Sequence, residues 1–140
     1  MKRALITYCS KTGITKGFSY QIESACRESG LETTLMSIDK FDKSALAGAD
    51  YLFLGCWTSG LMVMLQHPDK AWVEFAKSLP DLTGKKIVLF TTYKLATGSM
   101  FRRMKRLLKC QPADIVLELK SRDTTLSAGN HELLKGILSN

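Results

Sequence analysis

The sequence predicts an α/β fold built on a mainly parallel β-sheet. Five short apolar segments are typical of strands, and the third is hydrophobic without interruption, as strands covered on both faces are. Between these segments, apolar residues recur at steps of three and four, as they do along one face of an amphipathic helix. This alternation predicts right-handed crossovers that pack helices against a parallel sheet. With 140 residues, 45% hydrophobic and 24% charged, the chain is expected to form one domain over residues 1–140.

The N-terminal half contains three predicted strands, at residues 4–8, 31–38 and 51–56. The first lacks helical spacing and ends in a polar cluster, which is typical of a buried strand that leads into a loop. A helix lies between the first two strands, and Ser29–Gly30 provides its stop signal. The apolar face of this helix is formed by Phe18, Ile22, Ala25 and Cys26.

The C-terminal half contains a fourth strand at residues 87–90, a fifth at 115–119 and three helices. The first of these helices is expected to begin near Pro68. Segment 61–65 is unusually apolar, and we expect it either to pack in the core at the start of a helix or to form an adaptable patch for a ligand or partner. The apolar positions of the three helices are Trp72, Phe75, Ala76 and Leu79, then Phe101, Met104, Leu107 and Leu108, and finally Leu133, Leu134, Ile137 and Leu138.

The composition excludes several classes of protein. No apolar segment approaches the about 20 residues that a membrane-spanning helix needs, and the first residues lack the apolar stretch of a signal peptide. The four cysteines are widely separated, with no C-x-x-C pair and no histidine at ligand spacing, which argues against a zinc site. We therefore expect a cytoplasmic protein with free thiols, no membrane span and no metal.

A polar loop follows the first strand and carries the densest signal for ligand binding. Residues 10–15 are Ser-Lys-Thr-Gly-Ile-Thr, which places three hydroxyl groups and a glycine at the start of the first helix. Helix N-termini present unpaired N–H groups and partial positive charge, and hydroxyl groups donate to phosphate oxygens. Ser and Thr also cap helices without any ligand. The loop therefore predicts either a phosphate cradle or a helix cap, and Lys11 either adds charge to the cradle or is an exposed loop lysine.

Two common phosphate-binding motifs are absent, since the sequence has neither G-x-x-x-x-G-K-[ST] nor G-x-G-x-x-G after the first strand. The run Ser-Lys-Thr-Gly-Ile-Thr after Ala-Leu-Ile-Thr-Tyr-Cys resembles the [TS]-x-T-G-x-T loop with which flavodoxins hold the phosphate of FMN. The order of elements, the Gly-Cys-Trp-Thr-Ser-Gly segment and the chain length are also similar to a short-chain flavodoxin. The resemblance implies a flavodoxin-like doubly wound sheet of five parallel strands in the order 2-1-3-4-5, with helices on both faces.

The same resemblance implies which residues bind FMN. The phosphate would be held by Ser10, Lys11, Thr12, Gly13, Ile14 and Thr15. Flavodoxins often have Asn where this chain has Ile14, so here the position would keep its amide and lose a polar side chain. The flavin ring would lie between two loops that contribute Cys56, Trp57, Thr58, Ser59 and Gly60 on one side and Thr91, Thr92, Tyr93 and Gly98 on the other.

Aromatic residues flank flavin rings because stacking combines apolar burial with favourable ring geometry. Trp57 and Tyr93 are the candidates here, and their alternative is a place in the core or at the rim. The family's first aromatic often falls two or three residues later, where this sequence has Ser59 and Gly60.

The basic charge of the chain is uneven. Residues 1–70 contain eight basic and seven acidic side chains, whereas residues 71–140 contain twelve and six, for a net charge of +7 overall. One predicted helix has a basic outward face, formed by Arg102, Arg103, Lys105, Arg106 and Lys109. This face is interpreted either as a solvated surface or as a docking surface for an acidic protein partner. Nucleic acid is the least supported partner, since no exposed aromatics are interleaved with these cations.

The resemblance implies an FMN-binding electron-transfer protein that shuttles electrons between redox partners, more an electron carrier than a stand-alone enzyme. No nucleophile with a paired base stands out, so any redox chemistry would be that of the cofactor. Two alternatives remain open: a small FMN-dependent NAD(P)H or quinone oxidoreductase, and a flavodoxin-like module that has lost FMN and acts as a binding or regulatory protein.

Overall fold

The computed structural model describes residues 1–61 and 64–139. Six strands are formed in chain order, β1 (Arg3–Cys9), β2 (Glu32–Ser37), β3 (Tyr51–Leu61), β4 (Met64–Pro68), β5 (Lys86–Thr92) and β6 (Ile115–Ser121). Four α-helices alternate with them, α1 (Ile14–Glu28), α2 (Lys70–Ser78), α3 (Met100–Arg106) and α4 (Ala128–Leu138). Each predicted strand and helix therefore has a counterpart in the structure.

The sheet confirms the predicted doubly wound α/β class. Five strands lie in the order β2-β1-β3-β5-β6, and each neighbouring pair is parallel. The fourth and fifth predicted strands correspond to β5 and β6, so this order is the predicted order 2-1-3-4-5. The structure adds β4 as a sixth strand, which pairs antiparallel with the end of β3.

The helices lie on both faces of the sheet, as predicted. One core cluster joins α1 and α4 to the sheet, and the other joins α2 and α3 to its opposite face. Along β3 the side chains alternate, so that Leu52 and Leu54 face α2 and α3 while Tyr51 and Phe53 face α1 and α4. All four side chains are fully buried, which explains the continuous hydrophobicity of this strand.

Local chemistry explains where two helices begin and end. The chain leaves α1 at Ser29–Gly30, where Gly30 has a φ of 86° and its N–H donates to Arg27. Asp69 caps α2, with its side chain accepting a hydrogen bond from the N–H of Ala71 at 2.7 Å. This helix begins at Lys70, near Pro68 as expected, although Pro68 itself is the last residue of β4 and not part of the first turn.

The apolar segment 61–65 is not the start of a helix. The structure extends β3 to Leu61 and begins β4 at Met64, so this part of the chain is a hairpin. Positions 62 and 63 of the segment lie outside the described residues. Two smaller differences concern helix faces: α3 ends at Arg106, before Leu107 and Leu108, and Leu133 on α4 is 57% exposed.

Across the described residues, the helices include none that is both long and apolar enough to cross a membrane.

Gly55 in the central strand provides a test of the core. It pairs in register with Phe90 of β5, and a Cβ atom at Gly55 would lie only 2.0 Å from Cε2 of the Phe90 ring. Phe90 is itself held edge-on by Phe18, with ring centroids 5.9 Å apart. We therefore expect Gly55→Ala to lower the free energy of unfolding by about 1–3 kcal/mol or more, since the ring must shift.

The measurement is urea unfolding followed by far-ultraviolet circular dichroism. Gly129→Ala on α4 is the matched control, because a Cβ at Gly129 meets no atom within 4 Å and alanine favours a helix over glycine. Equal stability of the wild type and Gly55→Ala would show that the Phe90 ring is not confined as described.

Candidate functional site

The candidate site lies at the edge of the sheet where β1, β3 and β5 end. Parallel strands deliver their C-terminal ends to one edge, and ligands of such sheets bind in the crevice outside that edge. Three segments leave the sheet here: residues 10–13 before α1, the β3–β4 hairpin, and residues 93–99 before α3. The residues that the sequence singled out lie in these segments, at the start of α1 and at the ends of β3 and β5 that adjoin them.

The loop before α1 is closed by Ser10. Its Oγ accepts hydrogen bonds from the N–H of Gly13 at 3.0 Å and from the N–H of Lys16 at 3.3 Å. A hydroxyl oxygen has two acceptor sites and one hydrogen to donate. Because both acceptor sites are in use, the hydrogen of Ser10 is directed away from the loop backbone.

The first turn of α1 provides further donors. Gly13 caps the helix with a left-handed φ of 92°, which glycine adopts without strain. Within residues 1–61 and 64–139, no acceptor is found for the N–H groups of Ile14 and Thr15, as expected for the first residues of a helix. The side chains of Thr12 and Ile14 are exposed, so Ile14 presents only its backbone to the loop.

Buried hydroxyl groups join the three segments beneath the surface. Thr15 Oγ1 lies 2.6 Å from Thr92 Oγ1, which ties the start of α1 to the end of β5. Thr58 Oγ1 lies 2.7 Å from Thr91 Oγ1, and Thr91 donates to the carbonyl of Cys56 at 2.6 Å. The hydroxyls of Thr15, Thr91 and Thr92 are therefore engaged with the protein itself.

Trp57 lies between the Ser10 loop and the start of α2. Its Nε1–H donates to Oδ2 of Asp69 at 2.9 Å, and the Nζ of Lys11 lies 4.9 Å from the centroid of its ring. The side chain is half-buried. Trp57 therefore contacts the predicted phosphate loop directly, which the sequence alone did not indicate.

Tyr93 lies on the other side of the edge, beside two cations. Its ring is 5.8 Å from Nζ of Lys120 and 5.7 Å from the guanidinium carbon of Arg122. The N–H of Tyr93 donates to the carbonyl of Ser121, which holds it against the end of β6. Lys120 and Arg122 were not predicted as site residues, since only the pairing of β5 with β6 brings them here.

The turn after β6 is fixed by Asp123. Its carboxylate accepts from the N–H of Thr125 at 2.7 Å and from the hydroxyl of Ser121 at 3.1 Å. These hydrogen bonds to the charged form lower the pKa of Asp123. The turn also packs against α1, because a Cβ at Gly17 would lie 2.5 Å from Cγ2 of Thr124.

The remaining predicted site residues differ in how far their side chains are buried and in what surrounds them. Gly98 has a φ of 51°, and a Cβ there would lie 2.6 Å from the side-chain oxygen of Gln66 on β4. Thr58 and Ser59 are half-buried on the hairpin, and the backbone of Gly60 belongs to β3. Cys56 is fully buried, so its side chain belongs to the core and not to the surface of the edge.

Two cysteines lie side by side just below the edge. Cys9 and Cys56 are register partners in β1 and β3. A hydrogen bond with Cys56 lowers the pKa of the Cys9 thiol, whereas burial raises the pKa of Cys56. Burial also raises the pKa of Cys26 to about 12, so this thiol stays protonated at neutral pH. Among the described residues, no group of three or more His, Cys, Asp or Glu side chains is arranged to hold a metal ion.

The predicted basic face is exposed, but Lys109 lies beyond the end of α3, and part of the face is engaged within the protein. Lys105 pairs with Glu118, and Lys109 donates to the carbonyls of Lys77 and Leu79 at the end of α2. Nε of Arg103 donates to the hydroxyl of Ser99 at 2.9 Å. Arg102 and Arg106 have no such partner among the residues described.

Known sequences are similar to most of this chain. The family model for the flavodoxin domain matches residues 5–113. Flavodoxin from Megasphaera elsdenii is 30% identical over 95 residues, which are 66% of this chain and 66% of that protein. The probable flavodoxin 1 of Bacillus subtilis (strain 168) is 35% identical over 60 residues, or 43% of this chain and 38% of that protein. The matched segments thus span less than two thirds of each relative.

The fold is similar over nearly the whole chain. The solution structure of two-electron reduced Megasphaera elsdenii flavodoxin has a TM-score of 0.78 at 22% identity, covering 98% of this chain and 99% of that one.

The Thr15–Thr92 contact generates a stability prediction. We expect Thr15→Val to lower the free energy of unfolding by about 1–3 kcal/mol, because Thr92 keeps a buried hydroxyl without its partner. The double variant Thr15→Val/Thr92→Val should lose less than the sum of the two single losses, since it removes both hydroxyls. Urea unfolding of the four proteins measures the coupling, with the exposed Thr34→Val on β2 as a control. Strict additivity would contradict the contact.

Proposed function

The chain belongs to the flavodoxin family of FMN-binding electron-transfer proteins, and we propose that it is an electron carrier whose FMN lies at the edge formed by β1, β3 and β5. The observation that carries this proposal is the convergence of donors in the loop before α1. The hydroxyl hydrogen of Ser10 and the N–H groups of Ile14 and Thr15 lack acceptors within the described protein. Such donors at a helix N-terminus suit a phosphate dianion.

The residues present fit the phosphate group of FMN. Ser10 and Thr12 would donate from their hydroxyls, and Ile14 and Thr15 from their N–H groups, whereas the N–H of Gly13 is held by Oγ of Ser10. Lys11 adds a positive charge to the same loop. Because Gly13 has a left-handed backbone with open space around it, the loop turns without a side chain crowding the anion. The absence of Asn at position 14 leaves this donor set intact, since that position contributes through its backbone.

We assign the flavin ring to the edge of the sheet between the hairpin and the segment that begins at Tyr93. Trp57 and Tyr93 would flank the ring, with Thr58, Ser59 and Gly60 on one side and the backbone near Gly98 on the other. When bound, FMN supplies the redox chemistry, because its ring takes up and releases electrons. The chain would hold the ring, exclude water from it and set the charge around it. Cys56, Thr91 and Thr92 would support these loops from beneath.

Two features favour a carrier over the alternatives. The phosphate loop keeps its donors, which argues against a module that has lost FMN. No catalytic acid and base were identified in the sequence, which favours an electron carrier over a stand-alone oxidoreductase. A cytoplasmic location is supported by the four cysteines, which are all free.

Flavodoxins pass electrons to redox partners, and we propose that the partners of this chain are acidic. Of the basic face on α3, Arg102, Arg103 and Arg106 are the cations best placed to attract them. Lys105 and Lys109 contribute less, because their ammonium groups contact Glu118 and the carbonyls that end α2. The net charge of +7 on this chain also favours a partner with negative charge.

The phosphate assignment is tested with two flavins. We expect Thr12→Ala to raise the Kd for FMN about tenfold or more, as for loss of one hydrogen bond to a charged group. The same variant should leave the Kd for riboflavin unchanged, because riboflavin has no phosphate. Fluorescence titration of flavin into the apoprotein measures both constants, with Thr34→Ala on β2 as the matched control. Failure of the wild type to bind FMN would refute the proposed function.

The partner assignment is tested by reversing charge. We expect Arg102→Glu/Arg106→Glu to slow electron transfer from the reduced FMN-loaded protein to an acidic [2Fe–2S] ferredoxin about tenfold at low salt, since the local attraction becomes repulsion. The control Lys43→Glu/Lys135→Glu changes net charge equally at exposed sites elsewhere. The difference between the two should shrink as ionic strength rises. Stopped-flow spectroscopy measures the rates, and equal slowing by both variants would contradict a docking face on α3.

A further inference from the structure

We propose that Asp69 is a positioning residue, which fixes the ring of Trp57 for contact with the flavin ring. The proposal rests on the proposed function, and it gives the start of α2 a part in ligand binding. Nothing in the sequence points to it, since Asp69 is twelve residues from Trp57 and is separated from it by the hairpin.

Asp69 ties the start of α2 to β3 through three separate groups. Its Oδ1 accepts from the N–H of Ala71 at 2.7 Å and so caps α2. Its Oδ2 accepts from Nε1–H of Trp57 at 2.9 Å. Its own N–H donates to Sγ of Cys56 at 3.4 Å, which anchors it to β3. The carboxylate therefore has no freedom to turn without losing either the cap or the indole.

The side chain of Trp57 needs this support because Trp57 lies at the edge of the parallel sheet. Cys56 is the last residue of β3 that pairs with β1, whereas Trp57 pairs only with Thr92 of β5. A half-buried indole at such a position would exchange between staggered side-chain conformations. Asp69 at the indole nitrogen and Lys11 over the ring restrict it to one orientation.

One carboxylate oxygen of Asp69 caps α2 and the other accepts the hydrogen bond from Trp57, so a single substitution can remove the second role and keep the first. Asparagine caps helices as well as aspartate does, but its amide has a single oxygen and an NH₂ group that only donates. In Asp69→Asn the amide oxygen can cap α2. The NH₂ group then faces the Nε1–H of Trp57, and because both groups are donors, no hydrogen bond forms between them. The helix is kept and the indole loses its acceptor.

We expect Asp69→Asn to raise the Kd for FMN and the Kd for riboflavin by the same factor, about threefold to tenfold, the range for one hydrogen bond. An effect on the ring applies to both flavins, whereas Thr12→Ala acts on FMN alone. In the Trp57→Phe background, which lacks the indole N–H, Asp69→Asn should have no further effect. Asp42→Asn, the same change at another capping aspartate, is the control.

A second measurement uses the protein without flavin. The chain has two tryptophans, so a ¹⁵N–¹H spectrum contains two indole signals. Asp69→Asn should shift the Trp57 signal and speed its hydrogen exchange, while the signal of the buried Trp72 stays in place. Urea unfolding should show little loss of stability, since the cap is retained.

Three results would overturn the proposal: an unmoved Trp57 indole signal, weaker binding of FMN but not of riboflavin, or an equal effect of Asp69→Asn in the Trp57→Phe background. The failure of the proposed function is distinguishable from these. A wild type that binds neither flavin refutes both the function and the flavin contact, while the indole signal still shows whether Asp69 holds the ring.

Discussion

The contact between the hydroxyls of Thr15 and Thr92 holds the start of α1 against the end of β5 at a fully buried position. A hydroxyl without a partner at such a depth is costly, so each threonine requires the other. Thr58 and Thr91 join β3 to β5 in the same way. These polar contacts fix the positions of α1, β3 and β5 relative to one another. They therefore also fix the elements that bear the donors of the Ser10 loop and the aromatic side chains of the edge.

Strand register determines which of these side chains meet. Cys9 is paired with Cys56, so Ser10, the first residue after β1, lies beside Trp57, the next residue of β3. Lys11 then reaches the Trp57 ring within two residues of the end of β1. A shift of one residue in this pairing would turn Leu52 and Leu54 away from α2 and α3, so the same core packing that fixes the register also fixes the site.

The sequence was most informative where the signal is local. The hydrophobicity of β1, β3 and β5 and the apolar face of α1 depend on neighbours a few residues apart, and so does the Ser10 loop. The hairpin was missed because a short apolar run does not distinguish a strand from a helix, and the pairing of β4 with β3 is decided in three dimensions. The contacts of Trp57 with Asp69, and of Tyr93 with Lys120 and Arg122, arise from the meeting of elements that are distant in the chain.

Charge illustrates the same limit, since a count of lysines and arginines does not say which of them act on a ligand or partner. Lys109 stabilises the end of α2, where its ammonium offsets the negative end of the helix dipole. Lys11, Lys120 and Arg122 are held over aromatic rings at the edge. An aromatic ring attracts a cation without neutralising it, so the positive charge of these side chains stays at the edge. The electrostatic potential at this edge of the sheet therefore includes the positive charges of these three side chains.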